Sequence, residues 1–204
     1  MKEKSAKIIS IEIKVTLNSS MLDFEEELQK KLNEAGTKAV KEQLEYMDTD
    51  GSAIQVGKTK LTTKGKVSKE YHTAHGTVAV ERHVYQSNQG GATYCPMESN
   101  ARIIESATPR LAKIISTKYG TMSGAIQVQK DILITSGYHI SKGYIQNISN
   151  AVATMAIQKE DKWKYTIPEM ERPVKSVSVG IDGTTSFITG EGWRETMVGT
   201  IAFY

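Results

Sequence analysis

Apolar residues recur at strand spacing in some parts of this 204-residue chain and at helical spacing in others. Every second residue from Ile9 to Val15 is apolar, which predicts a strand over residues 8–17. From Met21 onward the apolar residues lie three or four positions apart, and Ser20 stands where an N-cap is expected. We therefore predict a helix over residues 21–46 and a fold that contains both helices and strands.

Lysine residues are densest immediately before and within a predicted β-hairpin. Residues 47–57 are rich in Asp, Gly and Ser, which predicts a loop, and alternation over 67–73 and 77–86 predicts two strands joined at 74–76. The lysines of this region are Lys58, Lys60, Lys64, Lys66 and Lys69. They are candidates for phosphate contacts that bind DNA without base specificity, and the alternative is a solvated face of the hairpin.

Three further helices are predicted over residues 109–118, 123–134 and 141–159, with a turn containing Gly137 before the last one. Residues 123–160 thus have the layout of a helix-turn-helix, whose second helix enters the major groove of DNA. The polar residues off its apolar stripe are Lys142, Gln146, Asn147 and Asn150. These side chains suit contacts to phosphates and base edges, and the alternative is a helical hairpin with a solvated polar face.

Period-two alternation returns at the end of the sequence, where Val177, Val179 and Ile181 share one face of a predicted strand. This strand is expected to end at Asp182, and a second strand is predicted over residues 194–204 after a turn at 189–192. A carboxylate at a strand end suits a hard cation such as Mg²⁺, although two-metal chemistry needs several acids. The alternative is that Asp182 and Gly183 form a simple turn.

Cysteine content, charge and hydropathy exclude several classes of protein. The single cysteine, Cys95, rules out an intramolecular disulfide and the usual thiolate zinc sites. The net charge of +3 permits nucleic-acid binding without requiring it. No segment approaches the run of about 18 apolar residues that a membrane span needs, so we expect a cytoplasmic protein with no membrane partner.

Two further motifs do not meet the requirements of the sites that they suggest. Gly57-Lys58-Thr59 matches the end of a P-loop, but that motif needs glycine where this sequence has Ser52. His72, His75 and His83 lie close together on the predicted hairpin and could in principle meet at a metal, but no Asp, Glu or Cys accompanies them. We interpret these histidines as surface or turn residues.

Several phrases of the sequence resemble insertion-sequence transposases of the ISKra type. They are residues 80–86 (VERHVYQ), 94–98 (YCPME), 177–184 (VSVGIDGT) and 193–200 (WRETMVGT), within a resemblance that extends from about Lys69 onward. Such transposases resemble the wider DDE class, in which an RNase H-like fold brings three Mg²⁺-binding carboxylates together for DNA strand cleavage and transfer. The resemblance implies that the first of these acids, on the first strand of that fold, is Asp182.

The resemblance also implies that the second Asp and the final Glu of the triad lie beyond residue 204. The expected fold is α+β: an N-terminal helix and basic hairpin (1–90), a helix-turn-helix-like region (91–165) and the first two strands of an incomplete RNase H-like domain (174–204). We expect such a chain to bind the inverted-repeat DNA of its element. It would do so alone, as a homo-oligomer or together with full-length transposase. We expect it to lack strand-transfer activity by itself. The alternatives are a non-catalytic DNA-binding repressor and an inactive product.

Overall fold

The computed structural model describes residues 7–160, 162–164, 166, 173–188 and 192–204. The chain divides into two compact units, Met1–Asp161 and Lys162–Tyr204. The sequence indicates an extended linker over 168–173, of which residues 168–172 lie outside the described residues, as do residues 189–191 of the predicted turn at 189–192. Within the described residues, no helix combines the length and apolar character needed to cross a bilayer.

Among the described residues, the first unit contains five helices and a four-stranded antiparallel sheet. The elements in chain order are α1 (Met21–Met47), β1 (Ile54–Val56), β2 (Thr59–Thr73), β3 (Gly76–Ser87), β4 (Gly90–Tyr94), α2 (Pro96–Asn100), α3 (Pro109–Thr121), α4 (Ala125–Ser136) and α5 (Lys142–Glu160). The strands of the sheet lie in the order β1-β2-β3-β4. The second unit is a hairpin of β5 (Val177–Ile188) and β6 (Gly192–Phe203). The expectation of an α+β fold is thereby confirmed.

Helix α1 begins where the sequence predicts it, because the Ser20 hydroxyl accepts a hydrogen bond from the Asp23 N–H at 3.3 Å. The predicted strand over residues 8–17 is wrong, since residues 7–17 form no strand. No described strand pairs with this segment; its side chains lie beside α1 instead, where Lys7 Nζ is 3.9 Å from a Glu42 carboxylate oxygen. Alternation alone does not make a strand when no neighbouring strand satisfies the backbone.

Strands β2 and β3 form the predicted hairpin, and both are longer than the sequence indicates. Thr73 pairs with Gly76 across a two-residue turn, and pairing extends back to Leu61 and Ser87. Residues 64 and 65 oppose the single residue Val84, which makes a β-bulge. The predicted loop over 47–57 is partly wrong, because β1 at its end pairs with β2. The predicted boundary near residue 90 lies inside the first unit, because β4 pairs with β3.

Two apolar cores stabilise the first unit. The first lies between α1, the sheet and α2, and its buried residues are Leu44, Tyr71, Val78, Val80, Cys95 and Met97. The second lies between α3, α4 and α5, and its buried residues are Ala107, Leu111, Ala112, Ile115, Ala125, Val128, Ile132, Ile140, Ile145 and Ile148. The second set follows the helical spacing of the sequence, so the three predicted helices are confirmed. The predicted burial of the apolar stripe of the last helix holds for Ile145 and Ile148, is partial for Val152 and is wrong for Met155, which is 46% exposed.

Hydrogen bonds hold the three-helix region against the tip of the β2–β3 hairpin. The backbone of His72 donates to Ser106 O at 2.8 Å and accepts from the Thr108 N–H at 2.9 Å. In the turn between α4 and α5, the Tyr138 hydroxyl donates to Thr73 O at 2.6 Å. Burial raises the pKa of Tyr138 to about 12, so this hydroxyl keeps its proton and remains a donor at neutral pH. The orientation of α5 is therefore fixed relative to β2.

In the second unit, β5 and β6 pair in continuous register from Val177 opposite Phe203 to Ile188 opposite Gly192. The expectation that β5 ends at Asp182 is wrong. The strand continues for six residues beyond it, because Asp182 pairs with Val198 and the following residues keep pairing with β6. The alternative of a simple turn at Asp182 and Gly183 is excluded for the same reason.

Candidate nucleic-acid interface

One face of α5 carries three carboxamide side chains around a glycine. Gly143, Gln146, Asn147 and Asn150 stand at positions i, i+3, i+4 and i+7, which places them on one side of a helix. All four are exposed, and we call them the carboxamide face. Lys142 is exposed one turn before Gln146, at the start of α5.

The helix begins as the sequence predicts, because the Ser141 hydroxyl accepts a hydrogen bond from the Tyr144 N–H at 3.2 Å. Ile145 and Ile148 are fully buried in the core against α3 and α4. These contacts fix the rotation of α5 about its axis. The carboxamide face is thus held outward by a rigid core rather than by a loop.

The carboxamides of the neighbouring helix have a different role. Gln127 Oε1 accepts the Ser123 N–H at 3.1 Å, and Gln129 Nε2 donates to Ile140 O at 2.7 Å. In contrast, the side chains of Gln146, Asn147 and Asn150 form no hydrogen bond with any residue that the structure describes. Their donors and acceptors are available to a ligand, whereas those of α4 stabilise the fold.

A groove of about 630 Å³ runs along the edge of the carboxamide face towards β2. Its walls combine α5 with β2 and the segment between α2 and α3, and its lining residues are Lys69, Glu105, Ser106, Tyr144, Asn147, Ile148, Asn150, Ala151 and Thr154. The structure therefore brings together Lys69 from the hairpin and Asn147 and Asn150 from α5, three residues that sequence analysis selected separately.

The position of the Lys69 side chain is fixed by Glu98. One oxygen of this carboxylate, Oε1, accepts hydrogen bonds from Lys69 Nζ at 2.9 Å, from the Tyr71 hydroxyl at 2.6 Å and from Arg82 Nε at 3.2 Å. Lys69 Nζ also donates to Glu105 O at 3.4 Å, and the Arg82 side chain is only 11% exposed. Because two cations surround one carboxylate, the group retains one positive charge.

The protonation states of this cluster follow from its contacts. Burial acts to raise the pKa of Glu98, but the hydrogen bonds from Tyr71 and Lys69 outweigh it and hold that pKa below its ordinary value. Burial and the bond to Glu98 raise the pKa of Tyr71, so its hydroxyl remains a donor. Glu98 is therefore ionised at neutral pH and keeps Lys69 at the end of the groove.

The remaining lysines of the basic hairpin do not line the groove with Lys69. Lys66 pairs with His83 and Lys69 pairs with Val80 on an unbroken part of β2, so the two lysines lie on opposite faces of the sheet. Lys64 lies in the bulge, Lys60 is near the start of β2, and Lys58 lies in the turn before it. All four are exposed, but only Lys69 joins the α5 groove.

The three histidines of the hairpin have separate neighbours. His72 lies against the Tyr144 ring with centroids 4.4 Å apart, and His83 Nδ1 is 2.8 Å from a buried Asp48 oxygen. The His75 ring packs against Gly36 of α1. Within the described residues, no three His, Cys, Asp or Glu side chains are grouped as a metal site would require. Burial lowers the pKa of His72, so its ring is neutral at physiological pH.

Asp182 is exposed on β5 and shares a face of the hairpin with its partner Val198. Glu195 pairs with Thr185, three residues along β5 from Asp182, and therefore lies on the opposite face. One carboxylate supplies fewer ligands than Mg²⁺ requires, so the side chains that the structure describes on this face do not by themselves fit the ion. The catalytic and metal-binding assignment of Asp182 stays a prediction.

Sequence analysis missed Glu98, Ser106 and Tyr144. Tyr144 follows Ser141 by three residues, and its position at the edge of the apolar stripe could have indicated a partly buried ring. Ser106 lines the groove and Glu98 binds Lys69 because the fold brings distant segments together, so no local pattern indicates either residue. Comparison with protein-family models and with curated proteins found no match to this chain.

Proposed function

We propose that the chain binds duplex DNA by placing the carboxamide face of α5 in the major groove, with α4 as the first helix of a helix-turn-helix. The observation that carries this proposal is the set of three exposed carboxamides without a partner in the fold. Carboxamides presented by a rigid helix match the donors and acceptors of base edges.

The connection between the helices supports the same interpretation. Gly137 ends α4 in the left-handed conformation (φ 69°), and residues 137–141 lead directly into α5. A short turn containing glycine is typical of this motif, and its second helix contacts bases through its N-terminal residues. Lys142 at the start of α5 and Lys69 at the end of the groove would contact phosphates on either side of the read bases.

The biological context that we propose is transposition, with the ends of an insertion sequence as the DNA target. This part of the proposal is supported by the resemblance of residues 177–184 and 193–200 to ISKra-type transposases. Asp182 would then be one of the acids that hold Mg²⁺ in the complete catalytic centre. DNA binding by α5 does not depend on that assignment.

Fluorescence anisotropy with a labelled duplex of about 20 base pairs tests the proposal. Lys142→Ala should weaken binding and reduce the slope of log K against log[salt] by about 0.9, the value for one phosphate contact. Lys159→Ala is the matched control, because Lys159 is exposed on the same helix but lies on the other side from the carboxamide face. No binding to duplex, or equal effects of the two substitutions, would contradict the proposal.

A further inference from the structure

The three side chains of the carboxamide face carry the same functional group, and this limits the bases that they can recognise. Its polar groups are three primary amides, each with an NH₂ donor and a carbonyl acceptor on one planar group. The major-groove edge of adenine presents the complementary pair, the N7 acceptor and the N6 amino donor. Guanine presents two acceptors there, which Arg or Lys satisfies and a single carboxamide does not.

Charged side chains that would favour guanine are lacking on this face. The helix contains no arginine, and its first lysine, Lys142, stands one turn before Gln146, at the helix start. Lysine is a flexible point charge that suits a phosphate as readily as a base. The recognition of bases is therefore left to Gln146, Asn147 and Asn150.

Gly143 adds a steric argument. It lies one turn before Gln146 and Asn147 on the same side of the helix, and a Cβ placed on it would meet nothing within 4 Å. The absence of a side chain at this point lets the helix approach the floor of the groove closely enough for the short Asn side chains to reach base edges. A thymine methyl group, which accompanies every adenine in the major groove, fits the same space.

We infer that α5 is an adenine-selective recognition helix, with Gln146 and Asn150 each pairing with one adenine within three consecutive base pairs. This inference rests on the proposed function and adds its base specificity. Gln146 and Asn150 are four residues apart, a rise of about 6 Å along the helix. Adjacent bases are about 3.4 Å apart along one strand, so the two side chains reach bases one or two steps apart.

The first test is selection of binding sites from a duplex library with randomised sequence. The expected result is enrichment of sites with adenine at two positions within three base pairs. Selection of sites that lack adenine, or that contain guanine at the enriched positions, would overturn the inference while leaving DNA binding intact. If no duplex is retained at any salt concentration, the proposed function fails, and the inference fails with it.

The second test assigns each adenine to a side chain. Replacing the selected adenine with 7-deazaadenine removes the N7 acceptor and keeps the Watson–Crick pair, and we expect a loss of affinity of about 5-fold or more, since a good paired contact discriminates by about 5- to 150-fold. Asn150→Ala should abolish sensitivity to 7-deazaadenine at one position only, and Gln146→Ala at the other. If both adenine positions stay equally sensitive to 7-deazaadenine in both variants, the assignment is refuted.

Two variants separate specificity from folding. Asn150→Arg should change the preferred base at its position from adenine to guanine, which loss of structure cannot do. Gln43→Ala is the matched control for Gln146→Ala, because Gln43 is also an exposed glutamine within a long helix. Its affinity and base preference should equal those of the parent chain, and a change of preference in this control would count against the assignment to α5.

Discussion

Replacing Glu98 with glutamine tests whether the charge cluster that fixes Lys69 also stabilises the fold. Glutamine keeps the shape and one acceptor oxygen but removes the negative charge that Arg82, Tyr71 and Lys69 share. The loss should come mainly from Arg82, whose side chain is 11% exposed, because the more exposed Lys69 can return to solvent.

The magnitude follows from the burial of the partners. Removing one partner of a fully buried pair costs about 3–5 kcal/mol. Glu98 is 26% exposed, and Arg82 keeps a second hydrogen bond from Nη1 to Val67 O at 2.8 Å. We therefore expect Glu98→Gln to lower the free energy of unfolding by about 2–3 kcal/mol at pH 7, a lower value than for a fully buried pair.

The stability difference between the parent chain and Glu98→Gln should depend on pH. Because the folded-state pKa of Glu98 is lowered, its charge contributes stability that is present above the unfolded pKa of about 4.3 and is lost as the pH falls through the folded value. The difference in stability between the parent chain and Glu98→Gln should thus be full above about pH 5 and should shrink below about pH 4.

Urea unfolding followed by circular dichroism between pH 3 and pH 7 measures both effects. Glu81→Gln is the control, because Glu81 is an exposed acid on the same hairpin, at the position before Arg82. A Glu98→Gln variant as stable as the parent at pH 7 would refute the role of the cluster. A stability difference that does not change with pH would refute the argument from charge.

Substitutions at three glycines give further predictions. Gly137→Ala should lower the free energy of unfolding by about 1–2 kcal/mol, because only glycine adopts the left-handed conformation at the end of α4 without strain. Gly120→Ala should be neutral or should raise that free energy by up to about 1 kcal/mol, because Gly120 lies within α3, where alanine favours the helix and the site is open. Thermal unfolding measures both, and an equal loss in the two variants would contradict the backbone argument. Gly143→Leu should keep or raise stability, since Leu favours helices and the site is open, yet should weaken duplex binding in an anisotropy titration. Unchanged binding would show that Gly143 lies outside the interface.

Much of the three-helix region was predictable because its determinants are local. The buried residues Leu111, Ile115, Val128, Ile132 and Ile145 follow helical spacing, so the helices and the inward face of α5 can be deduced from the sequence. The exposed carboxamide face follows from the same periodicity.

Strand pairing and the groove were less predictable because they depend on distant partners. The alternating segment before α1 has the pattern of a strand, but none of the described strands pairs with it. Lys66 and Lys69 appear as one basic cluster in the sequence, yet strand alternation places them on opposite faces. The contact between Lys69 and Glu98 joins residues 29 positions apart, and no local pattern specifies it.

Binding of duplex DNA through α5 is tested most directly by NMR titration of the ¹⁵N-labelled chain with a duplex of about 20 base pairs at low salt. Binding through this helix predicts that the largest shift changes include the side-chain NH₂ groups of Gln146, Asn147 and Asn150 and the backbone amide of Gly143. The amides of Gln127 and Gln129, whose side chains hydrogen-bond within the fold, should change less. Changes confined to α1 or to β5 and β6, with the α5 signals unmoved, would contradict it.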